Sequence, residues 1–263
     1  MIVILIILLF IIYIIINTHY LKISKVKLYN SPQYLKIAHI SDIHGKLKFL
    51  NGDLTTILNN QKLDYLIVTG DLANNYEQRR LVRDALNKVN VTYKTLIVLG
   101  NYERIKYKMP NNTVSFLTSA SIKKYFNNDK VQVLVNEPFV HDFNKKRILF
   151  WGFDNSIYGR EKYNNGINDR KFSYKILLAH SPRILSFIKQ YKIQADLLLV
   201  GHTHGNQINL PILKKIKNNY HKYHIGMKYT NNMQVNISKG LGTSRLNLRV
   251  NSLPEITIIE LLQ

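Results

Sequence analysis

Five short apolar runs, each ending on a polar loop that carries Asp, Asn or His, constrain this chain more than any other feature. Residues 35–40 (LKIAHI) run into SDIHG, 65–69 (YLIVT) into GDL, and 96–99 (LIVL) into GNYE. Residues 176–179 (ILLA) lead into HSP, and 196–200 (DLLLV) into GHTHG. Runs this short and continuous predict strands buried on both faces. Helix-like stretches lie at 54–60, 76–89 and 183–191, and 233–238 and 255–261 read as further strands. The alternation predicts an α/β layer structure, whose ligands bind outside the carboxyl ends of the strands, where all five loops would sit. Residues 22–263 contain no Pro/Gly/Ser-rich linker, low-complexity tract or internal repeat, so that span reads as one domain.

The chain has no cysteine, which excludes disulfide frameworks, thiolate zinc sites and cysteine nucleophiles. Its 37 Lys+Arg against 16 Asp+Glu give a net charge of +21. Hydrophobic content of 46%, with 17 Tyr and 10 Phe, excludes a disordered chain. None of that charge falls on residues 1–21, where Ile, Leu, Val, Phe and Tyr dominate every face. No basic segment precedes this run and no small-residue cleavage site follows it, so it reads as an uncleaved transmembrane anchor rather than a signal peptide. Lys22, Lys25 and Lys27 follow directly, and the positive-inside bias then places residues 22–263 in the cytoplasm of a single-pass membrane protein.

The five loops hold Asp42 and His44, Asp71, Asn101, His180, and His202 with His204. Imidazoles, carboxylates and one amide oxygen form a ligand set for hard or borderline divalent ions, Mn²⁺ first, with Fe or Zn²⁺ as alternatives. One carboxylate can bridge two such ions, and the pair then clamps an in-line displacement at phosphorus.

The blocks SDIHG, GDL, GN, AHSP and GHTHG, in this order across residues 37–261, resemble the signature of the calcineurin-like metallophosphoesterases. The ending GLGTSRLNLRVNSLPEITIIEL is similar to that of membrane-associated bacterial members, including UDP-2,3-diacylglucosamine pyrophosphatase-like phosphoesterases. The resemblance implies a four-layer α/β/β/α sandwich with mixed sheets, here preceded by one N-terminal transmembrane helix. It makes Asp42, His44 and His204 ligands of one ion and Asn101, His180 and His202 ligands of another, with Asp71 bridging. Asn101, Tyr102 and His180 are the residues it assigns to catalysis. A metal-bound hydroxide would attack a phosphomonoester, phosphodiester or pyrophosphate, on a small-molecule or lipid substrate.

Two positions depart from the family pattern. Tyr102 stands where a His usually acts as general acid; a phenol with a pKa near 10 donates hydrogen bonds but shuttles protons poorly at pH 7. Either the leaving group needs little protonation, or another group supplies the proton, or Tyr102 is a packing residue. Asn206 replaces a Gly, in a position where Asn tolerates left-handed backbone. Lys214, Lys215 and Lys217, and Arg245 and Arg249, either contact phosphate or anionic lipid or form solvated basic faces. The +21 charge leaves a nucleic-acid phosphodiesterase or nucleic-acid binder as the alternative function, although no RNA- or DNA-binding signature accompanies it. The charge is better explained by a basic body held beside an anionic membrane.

Overall fold

The computed structural model describes residues 2–108, 113–164, 171–209, 223–230, 232–244 and 246–263. In chain order the elements begin with α1 (Ile2–His19), β1 (Lys22–Leu28), β2 (Leu35–Ile40), β3 (Lys48–Phe49), β4 (Gly52–Asp53), α2 (Leu54–Asn59) and β5 (Leu63–Thr69). Next come α3 (Tyr76–Asn87), β6 (Val91–Val98), β7 (Ile105–Lys108), β8 (Thr113–Phe116), α4 (Ser119–Phe126) and β9 (Val131–Leu134). The last are β10 (Glu137–Phe143), β11 (Lys146–Gly152), β12 (Tyr174–Leu178), α5 (Ile184–Gln190), β13 (Leu197–Val200), β14 (Gly226–Thr230), β15 (Met233–Ile237) and β16 (Glu255–Leu261). All five apolar runs are strands.

Two mixed six-stranded sheets form the centre, in the orders β1-β16-β2-β5-β6-β9 and β10-β11-β12-β13-β15-β14. In the first, β2, β5, β6 and β9 run parallel and β16 opposes β2; in the second, β11, β12, β13 and β15 run parallel between two antiparallel edge strands. Side chains alternate across each pleat, and this sorts the core into three layers. Ile37, Tyr65, Ile67 and Leu96 of the first sheet meet Phe150, Ile176 and Leu197 of the second between the sheets. Their neighbours Ala38, Leu66 and Ile97 point outward onto Leu58, Val82 and Phe126 of the helices α2, α3 and α4. On the far side Leu177, Leu198 and Val235 pack on Ile184 and Ile188 of α5. The result is a four-layer α/β/β/α sandwich.

Several elements lay beyond the sequence reading. β1 (KISKVKL) lies at a sheet edge, with Lys22, Lys25 and Lys27 exposed and Leu28 buried, so its lysines also shield that open edge. β10 and β11 form a hairpin through Asn144 and Lys145, both at positive φ (44° and 67°), the backbone of a type I′ turn without the usual Gly.

α1 is different in kind. Its residues 2–10 are each more than half exposed, no polar stripe marks any face, and only Asn17 and Thr18 are buried. It is the one helix among the described residues long and apolar enough to cross a membrane.

Candidate metal centre

The parallel strands deliver the seven candidate ligands, and Tyr102 beside Asn101, to one edge of the sandwich. Asp42 and His44 follow β2, Asp71 follows β5, Asn101 and Tyr102 follow β6, His180 follows β12, and His202 and His204 follow β13. Backbone hydrogen bonds lock adjacent loops together: Asp42 N–H donates to Gly70 O (2.9 Å), His44 N–H to Asp71 O (3.0 Å) and Gly201 N–H to His180 O (2.8 Å). Five of the candidates occupy left-handed backbone, with φ of 49° at Asp42, 47° at His44, 54° at Asp71, 71° at His202 and 50° at His204. Such conformations cost an L-residue about 1–2 kcal/mol each and persist where packing over-determines them, typically at functional sites. Asn206 has φ 52°, the left-handed backbone expected of it.

Six candidates gather into two clusters. Asp42, His44 and His204 form one and Asp71, His180 and His202 the other, each with a ligand atom from every member within 4.8 Å of the rest. In the first, His44 Nε2 lies 3.3 Å from His204 Nε2, and His204 Nε2 lies 3.4 Å from Asp42 Oδ1. In the second, His180 Nε2 lies 3.0 Å from His202 Nδ1 and 3.5 Å from Asp71 Oδ2. The same Asp71 oxygen is 3.8 Å from His44 Nε2, so it faces both clusters. The other oxygen, Oδ1, accepts the backbone N–H groups of Asn101 (2.6 Å) and Tyr102 (3.1 Å). That division of labour leaves Oδ2 for the interior of the site.

These donors fit a pair of divalent cations. His44 Nδ1–H donates to Asn74 Oδ1 (2.6 Å) and His180 Nδ1–H to Thr69 O (2.7 Å), which turns each Nε2 lone pair inward. Asp42 Oδ1 is buried with no hydrogen-bond partner, which would cost stability unless a cation is its partner. Ligands around one ion at about 2.1 Å stand roughly 3–4 Å apart, the spacing found within each cluster.

The electrostatics express the same demand for positive charge. Burial alone would raise the carboxylates of Asp42 and Asp71, yet both pKa values fall, Asp42's chiefly through His204 and Asp71's through His180. Burial lowers His180, but Asp71 and its hydrogen bond outweigh that and raise it to about 10. Burial, reinforced by His180, holds His202 down to about 4; burial also holds His204 at about 4, against the pull of Asp42.

Other residues brace this arrangement, and sequence reasoning missed them. Glu103 is buried, and its carboxylate accepts the N–H groups of Gly100 (2.5 Å), Asp71 (3.1 Å) and Leu72 (2.6 Å), tying the GNYE loop to the GDL loop. Burial, and then Asp71, raise its pKa. Asn155, fully buried, donates from Nδ2 to Asn101 Oδ1 (2.9 Å), which orients the amide of that candidate ligand. Its signal was present: WGFDN is another apolar strand ending on a polar loop. Tyr102 packs its ring edge-on against His44, centroids 5.1 Å apart.

Among the basic residues, Arg249 forms no solvated face. It is fully buried, donating to Gly242 O, Ser252 O and Lys239 O, so it is a clamp for the GLGTS loop. Lys214, Lys215, Lys217 and Arg245 lie outside the described residues.

A two-sheet sandwich with clustered Asp, Asn and His at the strand ends defines a metal-dependent phosphoesterase. The chain belongs to the calcineurin-like phosphoesterase family, whose model matches residues 35–206. It is 31% identical over 237 residues to the uncharacterized metallophosphoesterase YkuE of Bacillus subtilis (strain 168), spanning 86% of this chain and 78% of that one. It is 26% identical over 234 residues to YkoQ, an uncharacterized metallophosphoesterase of the same organism, spanning 85% of this chain and 82% of that one. Among solved structures, the NAD nucleotidase of Haemophilus influenzae is similar with a TM-score of 0.49 and 16% identity, covering 79% of this chain and 45% of that chain.

Proposed function

We propose that the protein is a membrane-anchored phosphohydrolase that holds two divalent cations and cleaves a phosphomonoester, phosphodiester or pyrophosphate. The observation that carries this reading is Asp71 Oδ2, which faces both His44 and His180 while Oδ1 is held by the backbone. Asp42, His44 and His204 would hold one cation, and Asn101, His180 and His202 the other, with Asp71 shared. Mn²⁺, Fe or Zn²⁺ suit such oxygen and nitrogen donors. When bound, the cations supply Lewis-acid activation of water and neutralise charge that grows on the phosphoryl oxygens.

The remaining work falls to the chain. Asn74 and the Thr69 carbonyl fix the tautomers of His44 and His180, and Asn155 holds the amide of Asn101. Tyr102 donates a hydrogen bond at most, because a phenol near pKa 10 is a weak proton source at pH 7. Leaving groups that depart without a proton, such as aryl or nucleotide phosphates, therefore suit this site.

The anchor reading is supported by α1, whose exposed apolar surface has no place in water. At about 1.5 Å per residue its 18 residues span about 27 Å, close to the bilayer's hydrocarbon thickness. Lys22, Lys25 and Lys27 beyond it favour the cytoplasmic side. The test is hydrolysis of p-nitrophenyl phosphate and bis(p-nitrophenyl) phosphate by the Mn²⁺-loaded chain. Turnover that Asp71→Asn reduces to background supports the reading; inactivity on both esters and on a wider phosphoester panel sinks it.

A further inference from the structure

The last turn of α1 is bonded to the same loops that build the metal centre. Thr18 Oγ1 accepts the backbone N–H of Arg249 (2.9 Å), and Thr18 O accepts from Lys46 Nζ. Leu50 N–H donates to His19 O (2.8 Å). Asn51 clamps Leu21 from both sides, accepting its N–H (3.0 Å) and donating to its carbonyl (2.9 Å). Lys46, Leu50 and Asn51 continue directly from the loop that holds Asp42 and His44. Arg249 clamps the carbonyl of Gly242, a residue so close to His44 that an added Cβ would meet the His44 Cβ at 2.8 Å. The helix is therefore fixed in place relative to the site, not tethered by a free linker.

Between the helix end and the site lies a groove of about 750 Å³, large enough for a ligand of several hundred daltons. Its lining runs from His19, on the last turn of α1, to His44 of the first cluster, and includes Lys46, Leu47, Leu81 and Leu246. Leu81 and Leu246, 43% and 56% exposed, line it together with the imidazoles of His19 and His44, the ammonium groups of Lys46 and Lys48, and the polar side chains of Asn74, Gln78, Thr243 and Asn247. Leu50 (59% exposed), whose N–H bonds His19 O, and Tyr20 (46%) add exposed apolar side chains at the helix end. A groove lined by both cationic and leucine side chains, reaching from His19 at the end of the apolar helix α1 to His44 of the first cluster, matches a molecule with a phosphate at one end and hydrocarbon at the other.

We propose that this groove receives an amphiphilic phosphate ester directly from the bilayer, its phosphate reaching the His44–Asp71 centre while its hydrocarbon passes Leu47, Leu81 and Leu246 toward the end of α1. This rests on the phosphohydrolase and anchor readings above and names their substrate class. A water-soluble phosphate would draw nothing from Leu47, Leu81 and Leu246. A bilayer-resident one reaches the groove by diffusing in the plane of the membrane.

The experiment compares two diesters with one leaving group, methyl p-nitrophenyl phosphate and hexadecyl p-nitrophenyl phosphate, on the full chain in phosphatidylcholine nanodiscs with Mn²⁺. In both, water's oxygen joins phosphorus, the phosphorus–aryl oxygen bond breaks, p-nitrophenolate and the alkyl phosphate leave, and the protons pass to buffer. The proposal predicts kcat/KM at least tenfold higher for the hexadecyl ester. It also predicts that Leu81→Asp with Leu246→Asp, changes at exposed positions that leave the core intact, cut that ratio below threefold. Equal kcat/KM for the two esters, or a ratio the double variant leaves untouched, overturns it.

A second readout needs neither metal nor turnover: hexadecyl phosphate bearing a diazirine on its chain should label Leu81 or Leu246 of the metal-free protein. Labelling confined to the exposed face of α1 overturns the proposal. Two further results point elsewhere as well: inactivity on both diesters and on the wider phosphoester panel removes the phosphohydrolase reading on which the proposal stands, and failure to float with vesicles removes the anchor. Normal turnover and flotation with no chain-length preference removes only the proposal.

Discussion

Glu103→Gln is an isosteric change that should damage the site without touching a candidate ligand. The carboxylate takes three backbone N–H groups, two on Oε2 (Gly100 and Asp71) and one on Oε1 (Leu72). An amide has one acceptor oxygen. Its best placement keeps the pair from Gly100 and Asp71, weakening each from charge-assisted to neutral at about 1 kcal/mol. The NH₂ then confronts Leu72 N–H, leaving a buried donor unpaired at about 1–3 kcal/mol. Relief of repulsion from Asp71, which helps raise the Glu103 pKa, returns part of that sum. The net loss is about 2–4 kcal/mol, or roughly 5–15 °C in Tm for a chain of this size. Because Glu103 ties the loops of Asp71 and Asn101 together, turnover should also fall at least tenfold, as displacements of about 1 Å at a reacting centre do. Circular dichroism melts of the metal-free protein near pH 7.5, paired with steady-state hydrolysis of bis(p-nitrophenyl) phosphate, measure both. A Tm within about 2 °C of wild type with unchanged kcat would refute the reasoning.

Two more outcomes follow from the same region. A Cβ at Gly201 would stand 1.7 Å from Ser41 Oγ and 2.6 Å from Asp42 Oδ2, so Gly201→Ala should cost about 2–4 kcal/mol by overpacking and by breaking the 2.5 Å Ser41–Asp42 bond. Adding Ser41→Gly should recover at least about 1 kcal/mol in a double-mutant cycle on urea unfolding; strict additivity would contradict the contact. His39 is fully buried between Thr69 Oγ1 (2.9 Å) and Asn236 Nδ2 (2.7 Å), and burial lowers its pKa to about 3. The unfolded chain binds this proton near pH 6.5 and the folded one does not, so the stability is full above that pH and falls as pH drops toward 3. Between pH 7.5 and 5 the loss from this residue is about 2 kcal/mol. His39→Gln should narrow the measured stability difference between those pH values by about that amount; an unchanged difference would contradict it.

Much of the fold was legible because buried parallel strands are short, continuous apolar runs and their loops carry the chemistry. β2 and β16 match the expected bounds to the residue, β5, β12, β13 and β15 differ at their ends by one or two residues, and β6 begins at Val91, five residues before the apolar run that marked it, because its first half carries Thr92, Tyr93 and Lys94. What the runs could not show were strands without such loops. The edge strand β1 carries lysine and reads as charge, and the β10–β11 hairpin turns through Asn144 and Lys145 with no Gly to mark it. The candidate ligands were visible because each is polar just past an apolar strand. Their supports were not, because Glu103 and Arg249 act through backbone carbonyls and N–H groups that come together only in three dimensions. Arg249 in particular looks like any surface cation until the GLGTS loop folds around it.

The central claim is that Asp71 joins two cations at one site. Elemental analysis of the chain loaded with Mn²⁺ and desalted, alongside its turnover, tests it most directly. The account predicts two Mn per active wild-type chain, and at most one per chain with background turnover for Asp71→Asn. One Mn or none in an active wild type, or two Mn and full turnover in Asp71→Asn, would contradict it.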